Sequence, residues 1–299
     1  MRELRTLIIY VAVVFLGGAL LAPWLYWLAQ HYAETFPKIA AAPFPRFINR
    51  ALLGVALIGL WPFLKNFGAT SAGDLGLVRP TGQWKKIGGG FLLGFGSLAV
   101  VAGLALAAGA RRVNGAFSAT ILAEKILGVV ITAVVVAVIE EILFRGGLFG
   151  SLKKVFHWKF ALVVSSAAYA LVHFMEGAPI PDAVTWSSGL VMLPQMLRGF
   201  LDWHAVIPGF LNLTLAGAIL ALAYQRTGNL YFSIGLHMGW IFWLKSYGIL
   251  TVAAPRMNTW CWGKGKLAVV NGWIALPMLA ATLLIFAGLF RPKTNPARP

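Results

Sequence analysis

Two adjacent carboxylates, Glu140 and Glu141, follow the apolar run 129–139. A charged side chain at the centre of a membrane-spanning helix costs on the order of 2.5–3.5 kcal/mol on insertion scales, so a pair of acids at that depth needs a reason. Arg145 lies four residues after Glu141, which places both side chains on one helix face and lets them pair. Glu140 is rotated from that face by about 100°. The spacing therefore predicts a structural anion at Glu141 and a general base at Glu140.

His173 and His237 are the two histidines inside apolar segments. Glu140 precedes Lys153 by 13 residues and His173 follows Lys159 by 14, so a helical hairpin places both roughly 20 Å from one interface. His237 lies roughly 12 Å from the turn before its helix, on the same side, and helix tilt would close the difference. The spacing predicts that the imidazoles and the acids lie at a similar depth.

Such a set of groups can hydrolyse an amide in two ways, and the residues alone leave both open. Glu140 could take a proton from water while a histidine polarises the carbonyl or protonates the leaving nitrogen. Alternatively, Glu140, His173 and His237 could bind Zn²⁺ and leave one position for water. The cofactor is therefore unknown, with a divalent metal and a metal-free mechanism as equal hypotheses.

The elements that must position these residues are apolar helices. Of the 299 residues, 59% are hydrophobic and 11% are charged, whereas a soluble domain carries about 25% charged residues. We predict an all-α, polytopic membrane bundle with about eight transmembrane helices, forming a single embedded domain over residues 1–290 with a disordered tail at 291–299. The predicted spans are 7–29, 48–67, 87–109, 120–152, 159–175, 205–225, 229–249 and 268–290.

The formal net charge of +16 does not indicate nucleic-acid binding. The basic residues stand singly or in pairs at the ends of apolar runs, as at membrane interfaces, and no nucleic-acid-binding motif is present. The single cysteine, Cys261, excludes an intrachain disulfide. The predicted partners are membrane lipid and a membrane-associated protein or peptide, and the predicted location is the cell (inner) membrane, as a multi-pass protein.

Three ordered motifs over about residues 120–245 resemble the CAAX prenyl endopeptidase and bacteriocin-processing (CPBP) family of intramembrane proteases. They are Glu140-Glu141-x-x-x-Arg145, then Tyr169-x-x-x-His173, then a segment that contains His237. The resemblance implies a largely eight-helix membrane fold and an endopeptidase that cleaves prenylated proteins or processes peptides.

The resemblance also implies roles for individual residues. Glu140 would activate water, His173 would assist it, and His237 would help to hold the oxyanion or the water. Glu141, Arg145 and Tyr169 would support the site. One position departs from the family pattern, because Ile241 stands four residues after His237, where the family usually has a polar residue. Removing one oxyanion donor typically costs roughly 10²–10³ in rate, so Asn212 or a water is a candidate substitute.

Two other functions compete with proteolysis. A proton-coupled transporter would use Glu140 and the histidines as a relay, and it would show internal repeats, which we do not find. A non-catalytic scaffold for immunity to a peptide toxin would retain its function after Glu140→Ala.

Overall fold

The computed structural model describes residues 2–175 and 179–290, apart from the side chain of Lys266. The predicted disordered tail at 291–299 lies outside the described residues. The elements in chain order are α1 (Arg2–His31), α2 (Pro37–Ala40), α3 (Phe44–Lys65), a 3₁₀ turn (Ala72–Leu75), α4 (Trp84–Ala107), β1 (Arg111–Val113), α5 (Ala119–Val155), α6 (Trp158–His173), α7 (Ser188–Gln195), a 3₁₀ turn (Met196–Leu201), α8 (Trp203–Thr227), α9 (Tyr231–Leu250), β2 (Thr251–Ala253), α10 (Thr259–Trp262), a 3₁₀ turn (Gly265–Leu267) and α11 (Ala275–Leu289).

The prediction of an all-α, polytopic membrane bundle is confirmed. Within the described residues, five helices are long and apolar enough to cross a membrane, namely α1, α3, α4, α5 and α8. The prediction of about eight spans also counts α6, α9 and α11. At 1.5 Å per residue, α6 is about 24 Å long and α11 about 22 Å, short of a hydrocarbon core of about 30 Å. The number of spans therefore stays a prediction.

The chain divides into two compact units, one of Met1–Thr70 with Leu171–Trp203 and one of Ser71–Ala170 with His204–Pro299. The prediction of a single embedded domain over residues 1–290 is not tested by this division. In the first unit, α1 packs against α3 and α7. Its core consists of Ala22, Ala42, Phe44, Phe47, Ile48, Ala51, Met192 and Met196.

In the second unit, α4 and α9 pack against each other along their length, and glycines lie at the contact. A Cβ built at Gly90 or Gly94 of α4 would overlap the backbone of Phe232 or Leu236, and one at Gly239 of α9 would overlap the backbone of α4. Small residues four apart allow this close approach of membrane helices. The two indoles of α9 reinforce it, since Trp240 and Trp243 donate hydrogen bonds to Ser97 Oγ and Phe95 O, each at 2.9 Å. The contact fixes the helix that carries His237.

We predict that Gly94→Leu destabilises the protein and displaces His237, because the new side chain has no room beside the carbonyl of Leu236. Overpacking a core costs typically about 1–3 kcal/mol, occasionally more. The measurement is thermal unfolding in detergent, monitored by tryptophan fluorescence. The control is Gly96→Leu on the same helix, where a Cβ meets no atom within 4 Å. Equal melting temperatures for the two variants would contradict the prediction.

Candidate active site

The helix that carries both acids, α5, changes from an α-helix to a π-helix at Glu141. The hydroxyl of Ser118 caps α5 by accepting a hydrogen bond from the N–H of Ile121 at 3.4 Å. The helix is regular from Ala119 to Glu140 and then continues as a π-helix over Glu141–Phe149. π-helical turns are rare and occur often at functional sites. The apolar pattern of residues 129–139 predicts a regular helix and gives no sign of this segment.

Glu141 and Arg145 form the ion pair that their spacing predicts. Arg145 Nη1 lies 2.9 Å from Glu141 Oε1, and the two side chains are 2% and 0% exposed. The guanidinium also donates to the carbonyl of Gly217 at 3.4 Å and lies 4.5 Å from the ring centre of Tyr169. The two opposite charges thus lie in contact inside the protein, while Glu141 Oε2 and Arg145 Nη1 make no hydrogen bond to the described residues.

His237 is oriented by the same carboxylate. Its Nδ1 lies 2.9 Å from Glu141 Oε1. Because Glu141 is held as an anion by Arg145, it can only accept, so Nδ1 of His237 carries the proton. The Nε2 atom then faces two other groups, the hydroxyl of Tyr169 at 3.2 Å and Glu140 Oε2 at 3.7 Å. This arrangement places Nε2 of the imidazole beside the second acid.

Glu140 differs from its neighbour in burial. The side chain of Glu140 is 24% exposed, whereas that of Glu141 is 0% exposed. Glu140 is therefore the more exposed acid of the pair, with its Oε2 atom, which faces His237, buried and the rest of the side chain partly accessible. A general base needs such access.

Tyr169 lies at the centre of the cluster. Its ring packs edge-on against Phe144 with ring centres 5.1 Å apart, and its hydroxyl lies 3.2 Å from His237 Nε2. Tyr169 is 3% exposed. Tyr169 was predicted as a supporting residue. In the structure its hydroxyl contacts His237, a predicted catalytic residue.

His173 ends α6 and belongs to the other compact unit, since α6 contributes residues up to Ala170 to the second unit and the remainder to the first. Its side chain is half-buried. Along α6 it lies one turn after Tyr169, on the same face of that helix. Its predicted action with Glu140 stays a prediction.

Asn212 was predicted as a substitute oxyanion donor, but its side chain holds backbone carbonyls instead. Both N–H groups of its amide are used, by the carbonyl of Val270 at 2.6 Å and that of Gly272 at 2.9 Å. These two hydrogen bonds satisfy backbone carbonyls in the irregular segment just before α11. Backbone carbonyls need such partners where no water can reach them. The amide therefore has no donor left for an oxyanion, and we do not retain Asn212 in the site. Ile241 is buried at 3% exposure.

The hypothesis of a metal site at Glu140, His173 and His237 is not supported by the donor set. Among residues 2–175 and 179–290, no group of three His, Cys, Asp or Glu side chains is arranged to hold a metal ion. Both nitrogens of His237 also face other partners, Glu141 and Tyr169. We derive no step through a metal.

The fold and this cluster define an integral membrane protein with a buried carboxylate–imidazole site. A family model described as "Type II CAAX prenyl endopeptidase Rce1-like" matches residues 121–243. The match contains Glu140, His173 and His237, and it confirms the predicted CPBP family for this part of the chain. It supports an intramembrane endopeptidase of the CAAX type in general terms. No curated protein and no solved structure matches the chain.

Proposed function

We propose that the protein hydrolyses a peptide bond near the C-terminus of a membrane-associated, prenylated protein or peptide in the cell (inner) membrane. The observation that carries the proposal is the approach of Glu140 to His237 Nε2, at 3.7 Å, while His237 is held by the buried pair of Glu141 and Arg145. Two atoms at this separation can both reach one water that lies beside the line joining them, at hydrogen-bond lengths of about 2.8 Å.

In the proposed reaction, Glu140 accepts a proton from this water while the water oxygen attacks the substrate carbonyl. The carbonyl electrons move to oxygen and form the oxyanion of a tetrahedral intermediate. The C–N bond then breaks, and Glu140 returns the proton to the leaving nitrogen. His173 assists the water, and His237 holds the water through Nε2, which accepts a hydrogen bond from it.

Tyr169 compensates in this proposal for the polar side chain that Ile241 does not supply. Its hydroxyl lies 3.2 Å from His237 Nε2 and can turn its hydrogen towards an oxyanion that forms beside the imidazole. Oxyanion stabilisation requires donors fixed before charge develops. The packing of the Tyr169 ring against Phe144 and Arg145 fixes the position of the hydroxyl oxygen, so that only its hydrogen has to turn.

The test of the proposed function is cleavage by the purified full-length protein in nanodiscs. The probes are a synthetic peptide with a prenylated CAAX terminus, the same peptide without the prenyl group, and one with a blocked scissile amide. We expect release of the C-terminal tripeptide from the prenylated peptide, and mass spectrometry measures it. If none of these peptides is cut, comparative membrane proteomics of cells with wild-type protein or Glu140→Gln tests for any other substrate. Identical C-termini in both strains would overturn the proposal.

We predict that Tyr169→Phe lowers kcat/KM by roughly 10²–10³, the usual cost of one oxyanion donor. The ring and its contacts with Phe144 and Arg145 are retained, so we expect a loss of stability of only about 0.5–1.5 kcal/mol, the value of one hydrogen bond. The control is Tyr224→Phe, which removes the hydroxyl of another buried tyrosine.

The variant Ile241→Asn tests the compensation directly. If the hydroxyl of Tyr169 does what the absent polar side chain would do, Tyr169→Phe combined with Ile241→Asn should regain part of the lost rate. Full activity of Tyr169→Phe alone would rule out this role.

A further inference from the structure

A cavity lies in the same compact unit as the site, at the far end of α9. It has a volume of about 260 Å³, and its lining includes Arg111, Leu244, Tyr247, Gly248, Lys264 and Ala268. Tyr247 follows His237 by ten residues on α9, which at 1.5 Å per residue places it roughly 15 Å further along the helix. The cavity is therefore distinct from the site that contains Glu140.

Arg111 is the buried charge of this cavity, at 8% exposure. The short β1–β2 pair sets its position, with Val113 opposite Thr251. Arg111 donates from Nε to Thr251 Oγ1 at 2.6 Å and from Nη2 to the carbonyl of Thr251 at 2.8 Å, and its guanidinium lies 4.3 Å from the ring centre of Tyr247. A guanidinium has five N–H donors, so this geometry uses two of them.

Within residues 2–175 and 179–290, the charge of Arg111 has no carboxylate counter-ion. No Asp or Glu among these residues lines the cavity. Lys264 adds a second cation, and its backbone is fixed by two hydrogen bonds of 3.0 Å with the side chain of Asn271. Burying a charge without a counter-ion is costly, so the cavity is suited to an anion.

The remaining lining and the location identify the class of anion. Leu244 and Ala268 make part of the wall apolar. Arg111 follows the end of α4 at Ala107, and Thr251 follows the end of α9 at Leu250, so the cavity lies where two apolar helices end. Basic pockets between transmembrane helices bind the head groups of anionic lipids. The volume is below the roughly 300–1,000 Å³ of sites for drug-sized ligands, which fits a head group alone.

We propose that this cavity is a binding site for the phosphate group of an anionic phospholipid, with Arg111 and Lys264 as its cationic contacts. The acyl chains extend from the cavity along the apolar surface of the bundle. This proposal is independent of the proteolytic function.

The test is native mass spectrometry of the full-length protein after exchange into mixed micelles with phosphatidylglycerol or phosphatidylcholine. We expect one tightly retained phosphatidylglycerol per chain and roughly tenfold weaker retention by Arg111→Gln. The matched control is Arg112→Gln, which removes the same charge one residue away from an exposed position outside the cavity. It should retain the lipid as the wild type does.

A second variant covers the case that Arg111→Gln fails to fold. Gly248 lines the cavity and a Cβ there meets no atom within 4 Å, so Gly248→Leu can fill the cavity without altering Arg111. We expect it also to lose the lipid. Equal retention by wild type and both cavity variants would overturn the proposal. If inorganic phosphate alone raises the melting temperature as much as phosphatidylglycerol does, and Arg111→Gln removes the effect, the site is one for free phosphate and the lipid assignment is wrong.

Discussion

Replacing Glu140 by glutamine is expected to lower the rate of peptide hydrolysis by roughly 10²–10⁴, the usual contribution of a positioned general base. Glutamine keeps the size and shape of the side chain but cannot accept the proton of the attacking water at neutral pH. Since Glu140 is 24% exposed and the buried ion pair is formed by Glu141, the variant should fold and insert normally. Measured on the same nanodisc preparation, kcat should fall while the melting temperature stays unchanged.

The matched control for this prediction is Glu124→Gln. Glu124 is an exposed acid on the same helix, four turns before Glu140. The control removes one carboxylate from α5 and leaves the cluster intact, so its rate should equal that of the wild type. Normal cleavage by Glu140→Gln would exclude Glu140 as the base and with it the proposed mechanism.

The second large effect is on stability. Arg145→Met leaves the carboxylate of Glu141 buried without its cation, and Glu141→Met leaves the guanidinium without its anion. Breaking a buried pair by removing one partner costs on the order of 3–5 kcal/mol, because an uncompensated charge stays in the interior. We expect each single variant to show a much lower melting temperature or a lower yield of folded protein.

The double variant, Glu141→Met with Arg145→Met, separates folding from catalysis. Replacing both partners by apolar side chains of similar volume is often neutral for stability or stabilising, so the double variant should recover most of the stability lost by each single variant. Its activity should stay low, because His237 has lost the acceptor that orients Nδ1. A double variant as unstable as the single ones would contradict this account of the pair, and an active one would show that His237 needs no orientation.

The cluster itself could be predicted from the sequence, because acids inside an apolar run are costly enough to require partners. That argument correctly paired Glu141 with Arg145. The spacing left His237 roughly 8 Å from Glu140 in depth, whereas its Nε2 lies 3.7 Å from Glu140 Oε2. The estimate took the turn before α9 as a surface, whereas Leu230 in that turn is fully buried and its N–H donates to the carbonyl of Gly76. A turn covered by another segment lies inside the protein, so the imidazole starts closer to the acids.

Other features could not be predicted from composition or spacing. The π-helical segment after Glu140 depends on packing around the helix, and no residue type encodes it. The predicted start of the last span at 268 was seven residues too early, since the backbone before Ala275 is irregular and is held by Asn212. The glycines of α4 and α9 did carry a signal, because Gly90 and Gly94, and Gly235 and Gly239, are each four residues apart.

The glycine contact between α4 and α9 also links the imidazole to the surrounding bilayer. Where two backbones touch without side chains between them, there is no compliant layer to absorb a displacement. Leu92 of α4 is 69% exposed, while Gly90 and Gly94 on the same helix touch the helix of His237. A change in bilayer thickness that tilts α4 must therefore tilt α9 by a similar amount. The alignment of the imidazole with Glu140, and hence the turnover rate, should respond to the acyl-chain length of the host lipid.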